Sequence, residues 1–362
     1  MTELAELLRC LVAIDSTNPD LVPGGAGERE IARFVAEWCE RAGLEVELEE
    51  AAPWRPNVVA TARGTGGGRS LLLNAHMDTV GIAGMDEPFS GRVEGGRLYG
   101  RGAYDMKGGL AAMMAAGAAA VRKRLRGDVV LTAVADEEYK SVGTEAVART
   151  LKADAAIVTE PTELGVGVAH KGMIWLELET AGRAAHGSRP HLGEDAILAL
   201  APALAGLAAL DRRLREGRAH PLLGPPSLHA STIEGGREWS IYPDRCVLRV
   251  ERRTIPGETL EEVEAEIREV AGAASVRVEL ARPPHEIRGD EEIVELVVRH
   301  AGTERVGVSY WADSALLAAA GIPTVLFGPA GEGAHAAVEW VDLASVERCA
   351  EVYLAVAEEF CA

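Results

Sequence analysis

The chain has 362 residues, 48% of them hydrophobic, a length that is more typical of two domains than of one compact core. Its formal net charge of −19 disfavours nucleic acid and anionic membrane as partners, because both are bound through basic patches. The start of the chain lacks the layout of a signal peptide and the five cysteines show no CxxC spacing, so we expect a cytoplasmic protein without a disulfide framework.

The first 171 residues alternate between helical and strand patterns. Apolar residues at helical spacing predict helices over 3–13, 28–42, 108–122 and 141–151. Short apolar runs predict strands over 44–49, 57–63, 70–77, 128–135 and 155–159. The alternation resumes after residue 284 and closes with a helix over about 343–360. It predicts a mainly parallel α/β sheet that is covered by helices on both faces.

Residues 172–284 follow another pattern. Two helical segments separate four strand-like segments in the order β-α-β-β-α-β, which is typical of a ferredoxin-like domain. The sequence therefore predicts that residues 172–284 are inserted into one α/β domain, which is built from residues 1–171 and 285–362.

Acidic and imidazole residues lie close behind several of the predicted strands. They are His76 in LLLNAHMDTV, Asp105 in LYGRGAYDMKGG, Glu137 and Glu138 in LTAVADEEY, Glu160 in AAIVTEPT, and His335 in GEGAHAAVEW. Each segment alone has an ordinary reading as a turn, a strand exit, a helix start or a solvated loop. Because the carboxyl ends of parallel strands meet at one edge of a sheet, the segments together predict a two-metal hydrolase site.

The residue types suit that chemistry. A metal-bound imidazole usually donates its second N–H to a carboxylate, and Asp78 stands two residues after His76. The carboxylate of Asp105 has two oxygens and can bridge two cations. Neighbouring side chains of an extended segment point in opposite directions, so one of Glu137 and Glu138 is expected to bind metal while the other faces the attacking water as general base.

The motifs HMD, GRGxxDMKGG, DEE, TEP and GxGAHAAVE together resemble the M20 metallopeptidase family over essentially the whole chain. This family includes acetylornithine deacetylases, succinyl-diaminopimelate desuccinylases, aminoacylases and carboxypeptidases. The resemblance implies a zinc-peptidase-like catalytic domain whose inserted ferredoxin-like domain serves as a lid and as a homodimer interface.

The resemblance also implies a role for each matching residue. His76, Asp105 and Glu160 hold one zinc ion, and Asp105 bridges to a second ion that is held by Glu138 and His335. Glu137 is the general base and Asp78 orients His76.

Two residues of the inserted segment match further family motifs. His186 in GRAAHGSRP matches the lid histidine that reaches an active site, although without the resemblance it reads as a loop histidine. Arg253 before TIPG matches an arginine that clamps the substrate carboxylate, although it also reads as a solvated strand-end arginine. Two positions depart from the family pattern: Ser240 replaces a common Asn, and Trp311 precedes the Asp313–Ser314 pair.

These expectations describe a deacylase that removes an acyl group, with acetyl preferred, from an N-acyl amino acid such as N-acetylornithine. Glu160 and the segment GVAHKG (residues 167–172) favour this branch of the family by resemblance. A dipeptidase or glutamate carboxypeptidase is the alternative, and a non-catalytic binding protein on the same fold is a third. Zn²⁺, Co²⁺ and Mn²⁺ all suit this nitrogen and oxygen ligand set, and the sequence leaves the acyl group open.

Overall fold

The structure is a computed structural model, and it describes residues 2–362. Its α-helices are α1 (Glu3–Ala13), α2 (Arg29–Ala42), α3 (Gly108–Lys123), α4 (Val142–Thr150), α5 (Ala196–Glu216), α6 (Leu260–Val270), α7 (Glu292–Ala301), α8 (Ser314–Ala319) and α9 (Leu343–Phe360). Its strands are β1 (Glu45–Ala52), β2 (Arg55–Ala62), β3 (Leu71–His76), β4 (Arg92–Glu94), β5 (Arg97–Tyr99), β6 (Val129–Val134), β7 (Ala155–Val158), β8 (Val166–His170), β9 (Gly172–Ala181), β10 (Ser227–Gly235), β11 (Arg245–Thr254), β12 (Ser275–Arg282), β13 (His285–Glu286), β14 (Arg305–Val308), β15 (Thr324–Leu326), β16 (Gly331–Glu332) and β17 (Trp340–Asp342).

The chain divides into two compact units. Unit 1 comprises Met1–Val168, Ile287–Val306 and Ala312–Ala362, and unit 2 comprises Ala169–Glu286 and Gly307–Trp311. Each unit has a hydrophobic core of its own.

Unit 1 is built on a mixed sheet in which the strand order runs β1-β2-β6-β3-β7-β15-β8. The central strands β6, β3 and β7 are parallel and buried along their whole length, as expected for strands with helices on both faces. His76 at the end of β3 pairs in register with Val134 at the end of β6. The residues that follow β3, β6 and β7 are therefore delivered to the same edge of the sheet.

Two local features fix the helices of unit 1 that lie beside this sheet. Gly43 ends α2 in the left-handed region with φ 93°, which glycine adopts at little cost, so the end predicted for this helix at residue 42 is confirmed. Helix α3 is rich in Ala and Gly and is buried over most of its length. Its small side chains allow the helix axis to lie close to the strands beneath it.

Unit 2 is a four-stranded sheet in the order β10-β11-β9-β12, and all of its strand pairs are antiparallel. Helices α5 and α6 pack on this sheet through one apolar cluster, and a capping box between Thr259 and Glu262 begins α6. The order of elements and strands is ferredoxin-like, so the fold class predicted from the sequence is confirmed. The mainly parallel sheet predicted for the other domain is wrong, because β1–β2, β2–β6 and β15–β8 of unit 1 pair antiparallel. No helix of residues 2–362 is long and apolar enough to span a bilayer.

Candidate active site

Three neighbouring parallel strands bring most of the predicted site residues to one edge of the unit 1 sheet. His76 is the last residue of β3, Glu137 and Glu138 follow β6, and Glu160 follows β7. All four lie beyond the carboxyl ends of strands that are adjacent in the order β6-β3-β7. This is where open α/β sheets place their ligands.

Asp105 lies between the two predicted halves of the site. It is part of a short π-helical turn, Ala103–Lys107, which precedes α3, and its peptide bond to Met106 is cis. Its Oδ1 is 3.3 Å from Nε2 of His76, and its Oδ2 is 3.4 Å from Nε2 of His335. The two carboxylate oxygens of Asp105 therefore face two different imidazoles.

Each imidazole faces a further carboxylate. Nε2 of His76 is 3.8 Å from Oε1 of Glu160, and Nε2 of His335 is 3.0 Å from Oε2 of Glu138. The structure thus brings together all five residues for which the sequence predicts metal binding. His335 belongs to the loop between β16 and β17, and it is the most exposed of the five.

The possible ligand atoms form two overlapping groups. His76, Glu137 and Glu160 offer atoms within 4.8 Å of one another, and so do His76, Asp105 and Glu138. Glu137, the predicted general base, therefore lies within the same 4.8 Å limit of His76 as the predicted ligands do. Distance alone does not separate a ligand from a base at this position.

The extended geometry expected for Glu137 and Glu138 is wrong. Both residues belong to a turn that begins after β6, and both point into the site. Asp78 holds this turn, because its Oδ1 accepts a hydrogen bond from the backbone N–H of Glu137 (3.1 Å) and its Oδ2 accepts one from that of Glu138 (3.2 Å). A turn orients both side chains inward where a strand would have separated them.

The contact between His76 and Asp78 differs in detail from the expected one. The nearest partner of Nδ1 of His76 is the backbone carbonyl oxygen of Asp78, at 2.9 Å, whereas the carboxylate Oδ1 is 3.5 Å away. The Asp78 carboxylate instead accepts from Asn18 Nδ2 at 2.7 Å and from the turn described above. Either contact of Nδ1 leaves Nε2 of His76 facing Asp105.

Burial and crowding shift the pKa values of the site residues in opposite directions. Burial, together with neighbouring carboxylates, raises the pKa of Glu137 and Glu160 well above the usual range, and it raises that of Glu138 as well. Hydrogen bonds to Asp105 and Glu138 raise the pKa of His335 to about 10. The pKa of Asp105 is lowered despite its burial, because His335 and His76 both donate to it.

The raised pKa values of Glu137, Glu138 and Glu160 show that carboxylates are crowded together in a buried cluster, which a bound cation would stabilise. The donor atoms of the cluster fit divalent cations. The cluster supplies imidazole nitrogens and carboxylate oxygens, which zinc, cobalt and manganese accept. Oε1 of Glu138 is buried without a hydrogen-bond partner, so it is free to bind an ion. Burying such a carboxylate unpaired is costly, and a cation removes that cost.

Several buried residues that support the site were not predicted from the sequence. Glu339 and Arg101 form a buried ion pair beside Asp105, with Nη1 2.6 Å from Oε2. Asp313 is buried, accepts from Thr144 Oγ1 at 2.6 Å, and raises the pKa of Glu137 and Glu160 through its charge. The only signal available was that Arg101, Asp313 and Glu339 stand inside the segments that carry the predicted motifs.

A second unpredicted network lies behind Asp78. Nη2 of Arg55 donates to Glu28 and to Asp136, in each case at 2.8 Å, and Asn18 bridges Asp136 to Asp78. The sequence offered no motif for Arg55 or Glu28.

The remaining predicted site residues, His186 and Arg253, belong to unit 2. His186 is exposed, and its Nδ1 is 2.8 Å from the hydroxyl of Ser188. Its segment pairs with that of Ile241, and the backbone N–H of Gly187 donates to the carbonyl of Ser240. Arg253 is part of β11 and forms an ion pair with Glu251, with Nε 2.5 Å from Oε1. Their roles stay predictions.

The chain is similar to known proteins in both sequence and structure. The sequence model of peptidase family M20/M25/M40 matches residues 72–359. The chain belongs to this family. The resemblance seen in its motifs is thereby confirmed, and the protein is an M20 hydrolase.

The relatives of this M20 hydrolase carry names of different activities: a deacetylase, a deformylase and a carboxypeptidase. An acetylornithine deacetylase of Proteus mirabilis (strain HI4320) is 29% identical over 376 residues, which cover 98% of this chain and 96% of that protein. An N-formyl-4-amino-5-aminomethyl-2-methylpyrimidine deformylase of Halalkalibacterium halodurans is 29% identical over 408 residues, covering 99% of this chain and 94% of that protein. The structure of an M20 family metallo-carboxypeptidase from Sulfolobus solfataricus superimposes with a TM-score of 0.82 at 21% identity, covering 99% of both chains.

Proposed function

We propose that this M20 hydrolase is a dinuclear metal-dependent deacylase, which removes an acyl group, with acetyl preferred, from an N-acyl amino acid such as N-acetylornithine. One observation carries the proposal. The two oxygens of Asp105 face His76 and His335, and each of these imidazoles faces a further carboxylate. This is the arrangement that two bridged cations require.

In this proposal His76, Asp105 and Glu160 hold one ion, and Asp105, Glu138 and His335 hold the other. Zn²⁺ is our first choice, and Co²⁺ and Mn²⁺ suit the same donors. When bound, such ions polarise a carbonyl group and lower the pKa of water.

The protein's own residues then position the substrate and move the proton. Glu137 takes a proton from the attacking water and passes it to the nitrogen of the leaving amine, so the amide C–N bond breaks to give an acid and a free amine. Asp78 keeps Glu137 in place through the backbone of the turn. Arg253 binds the α-carboxylate of the substrate in exchange for Glu251, and His186 stabilises the developing oxyanion.

Two lines of support favour a deacylase over a peptidase. By family resemblance, Glu at position 160 and the GVAHKG segment are typical of the deacetylase branch. The relatives named as an acetylornithine deacetylase and as a deformylase, both 29% identical, act on acyl groups according to those names. A dipeptidase or glutamate carboxypeptidase is the alternative that the experiment below distinguishes.

The domain roles, the assembly and the location belong to the same proposal. Residues 172–284 act as the lid on a catalytic domain formed by residues 1–171 and 285–362, and they also form the interface of a cytoplasmic homodimer. Two features of unit 2 support that interface. Helix α5 exposes apolar side chains on its outer side while Leu200 and Leu207 cover its own sheet, and β10 is an edge strand.

The test is hydrolysis of N-acetyl, N-formyl and N-succinyl amino acids and of dipeptides in the presence of zinc or cobalt. We expect turnover of acyl amino acids, with acetylornithine among the substrates. The turnover rate of the Glu137→Ala variant should fall by about 10²–10⁴-fold, because proton transfer is lost. Amine release with ninhydrin measures both the activity and its loss.

The matched control is Glu30→Ala, which removes an exposed glutamate from α2. It should keep the wild-type rate. Turnover of dipeptides alone would move the protein to the peptidase alternative. Full activity of Glu137→Ala would remove Glu137 from the mechanism.

A further inference from the structure

A buried carboxylate joins the turn that carries Asp105 to the segment that follows His335. The side chain of Glu339 is 1% exposed. Its Oε1 accepts hydrogen bonds from the backbone N–H groups of Tyr104 (3.0 Å) and Asp105 (3.1 Å), and its Oε2 accepts one from Gly102 (3.1 Å). One side chain thus satisfies three backbone donors of a single turn.

Arg101 extends this contact to two further segments of the site. Its Nη1 donates to Glu339 at 2.6 Å, its Nη2 donates to the carbonyl of Ala336 at 2.9 Å, and its Nε donates to the carbonyl of Gly81 at 3.0 Å. Ala336 is the neighbour of His335, and Gly81 belongs to the loop that follows His76 and Asp78. The guanidinium group therefore ties together the three segments that carry His76, Asp105 and His335.

Regular secondary structure holds neither Asp105 nor His335 in place. Within the turn, Asp105 has non-helical dihedral angles (φ −114°, ψ 94°), so its N–H needs a partner other than a helical carbonyl. His335 has φ 62°, a left-handed conformation that is unfavourable for a residue other than glycine. Glu339 supplies the missing acceptor for Asp105, and Arg101 anchors the loop next to His335.

We propose that Arg101 and Glu339 are positioning residues, which hold Asp105 and His335 at the spacing that the second metal ion needs. This inference rests on the proposed dinuclear site. Neither Arg101 nor Glu339 is itself a proposed metal ligand. Groups that fix metal ligands from behind commonly change metal affinity by about 10–100-fold when they are replaced.

Unit 2 contains a comparable pair that carries none of the proposed metal ligands. Arg252 is fully buried and donates to Glu258, whose other oxygen accepts from the backbone N–H of Ile255 at 2.8 Å. Glu258→Gln therefore disturbs a buried arginine and a backbone donor, as Glu339→Gln does. It is the matched control for a purely structural effect.

The experiment is calorimetric titration of metal-free protein with Zn²⁺, repeated with Co²⁺ while its visible absorption is recorded. We expect wild type to bind two ions per chain, and His335→Ala to lose one of them. Glu339→Gln should bind that same ion about 10–100-fold more weakly and alter its cobalt spectrum. Arg101→Lys keeps the positive charge but loses the forked contacts of the guanidinium group, so it should weaken binding of the same ion to a similar extent. This second variant keeps the test decisive if Glu339→Gln does not fold.

The outcomes separate this inference from the proposed function. If wild type binds two ions and both Glu339→Gln and Arg101→Lys bind them as wild type does, the positioning role is wrong and the dinuclear site stands. An equal loss of affinity in Glu258→Gln would also overturn it, since the effect would then be general destabilisation. If wild type binds no ion, the dinuclear proposal fails, and this inference fails with it.

Discussion

The carboxylate of Asp78 accepts three hydrogen bonds at the site. Its Oδ1 accepts the backbone N–H of Glu137, and its Oδ2 accepts the N–H of Glu138 and the side-chain amide of Asn18. In Asp78→Asn, either orientation of the new amide points an NH₂ group at one of these donors. We therefore expect the free energy of unfolding to fall by roughly 1–3 kcal/mol and kcat to fall by about 10–100-fold.

Urea denaturation of the metal-free protein and initial-rate kinetics measure these two effects. Asp290→Asn is the control, because Asp290 is exposed and pairs only with Arg288 among the contacts described for it. A variant Asp78→Asn with wild-type kcat would show that the turn carrying Glu137 does not depend on this carboxylate.

Helix α3 approaches the end of β7 so closely that only glycine fits between them. A Cβ atom on Gly109 would lie 2.0 Å from the carbonyl oxygen of Thr159, the residue before Glu160. That oxygen belongs to the backbone and cannot swing away, so either the helix or the strand end has to shift. We expect Gly109→Ala to lower the free energy of unfolding by about 1–3 kcal/mol, despite the better helix propensity of alanine.

Gly289→Ala is the matched substitution, because a Cβ atom there meets nothing closer than 3.9 Å. Urea denaturation of both variants should show a loss for Gly109→Ala and little change or a small gain for Gly289→Ala. Equal stability of the two variants would mean that the approach of α3 to β7 is looser than the structure describes.

The helices and strands were predictable because their signal is local. The buried strand β6 and the helices α2 and α9 show their spacing within a dozen or so residues, and the ferredoxin-like order of unit 2 follows from such segments read in sequence. The conformation of Glu137 and Glu138 was not predictable in this way. An acidic pair after a strand fits a continued strand as well as a turn, and Asp78, which holds the turn, stands 59 residues earlier than Glu137.

Across the whole molecule, the cluster of proposed metal ligands was predictable and the residues that support it were not. The proposed ligands are of the residue types that bind metal, and each follows a recognisable strand or motif. Arg101 and Glu339 are 238 residues apart, and Arg55 and Asp136 are 81 apart, so nothing local indicates that they meet. Long-range pairs of this kind depend on the finished topology, which the sequence pattern describes only in outline.

The two units should respond differently to the removal of metal. Unit 1 carries all five proposed ligands, whereas unit 2 has a separate core and none of them. An ion at 100 times its Kd adds about 2.7 kcal/mol to the free energy of unfolding of the state that binds it. A chelator should therefore lower the unfolding temperature of unit 1 by roughly 5–10 °C per ion and leave that of unit 2 in place.

Scanning calorimetry with and without EDTA tests this, because it resolves separate transitions where the units unfold independently. EDTA that is already saturated with Zn²⁺ cannot remove the ions and controls for the chelator itself. Asp105→Asn, which weakens the bridge between both ion sites, should start at the lower temperature and respond little to EDTA. Equal shifts of both transitions would contradict a metal site that is confined to unit 1, and the absence of any shift would show that ions do not stabilise the buried acidic cluster.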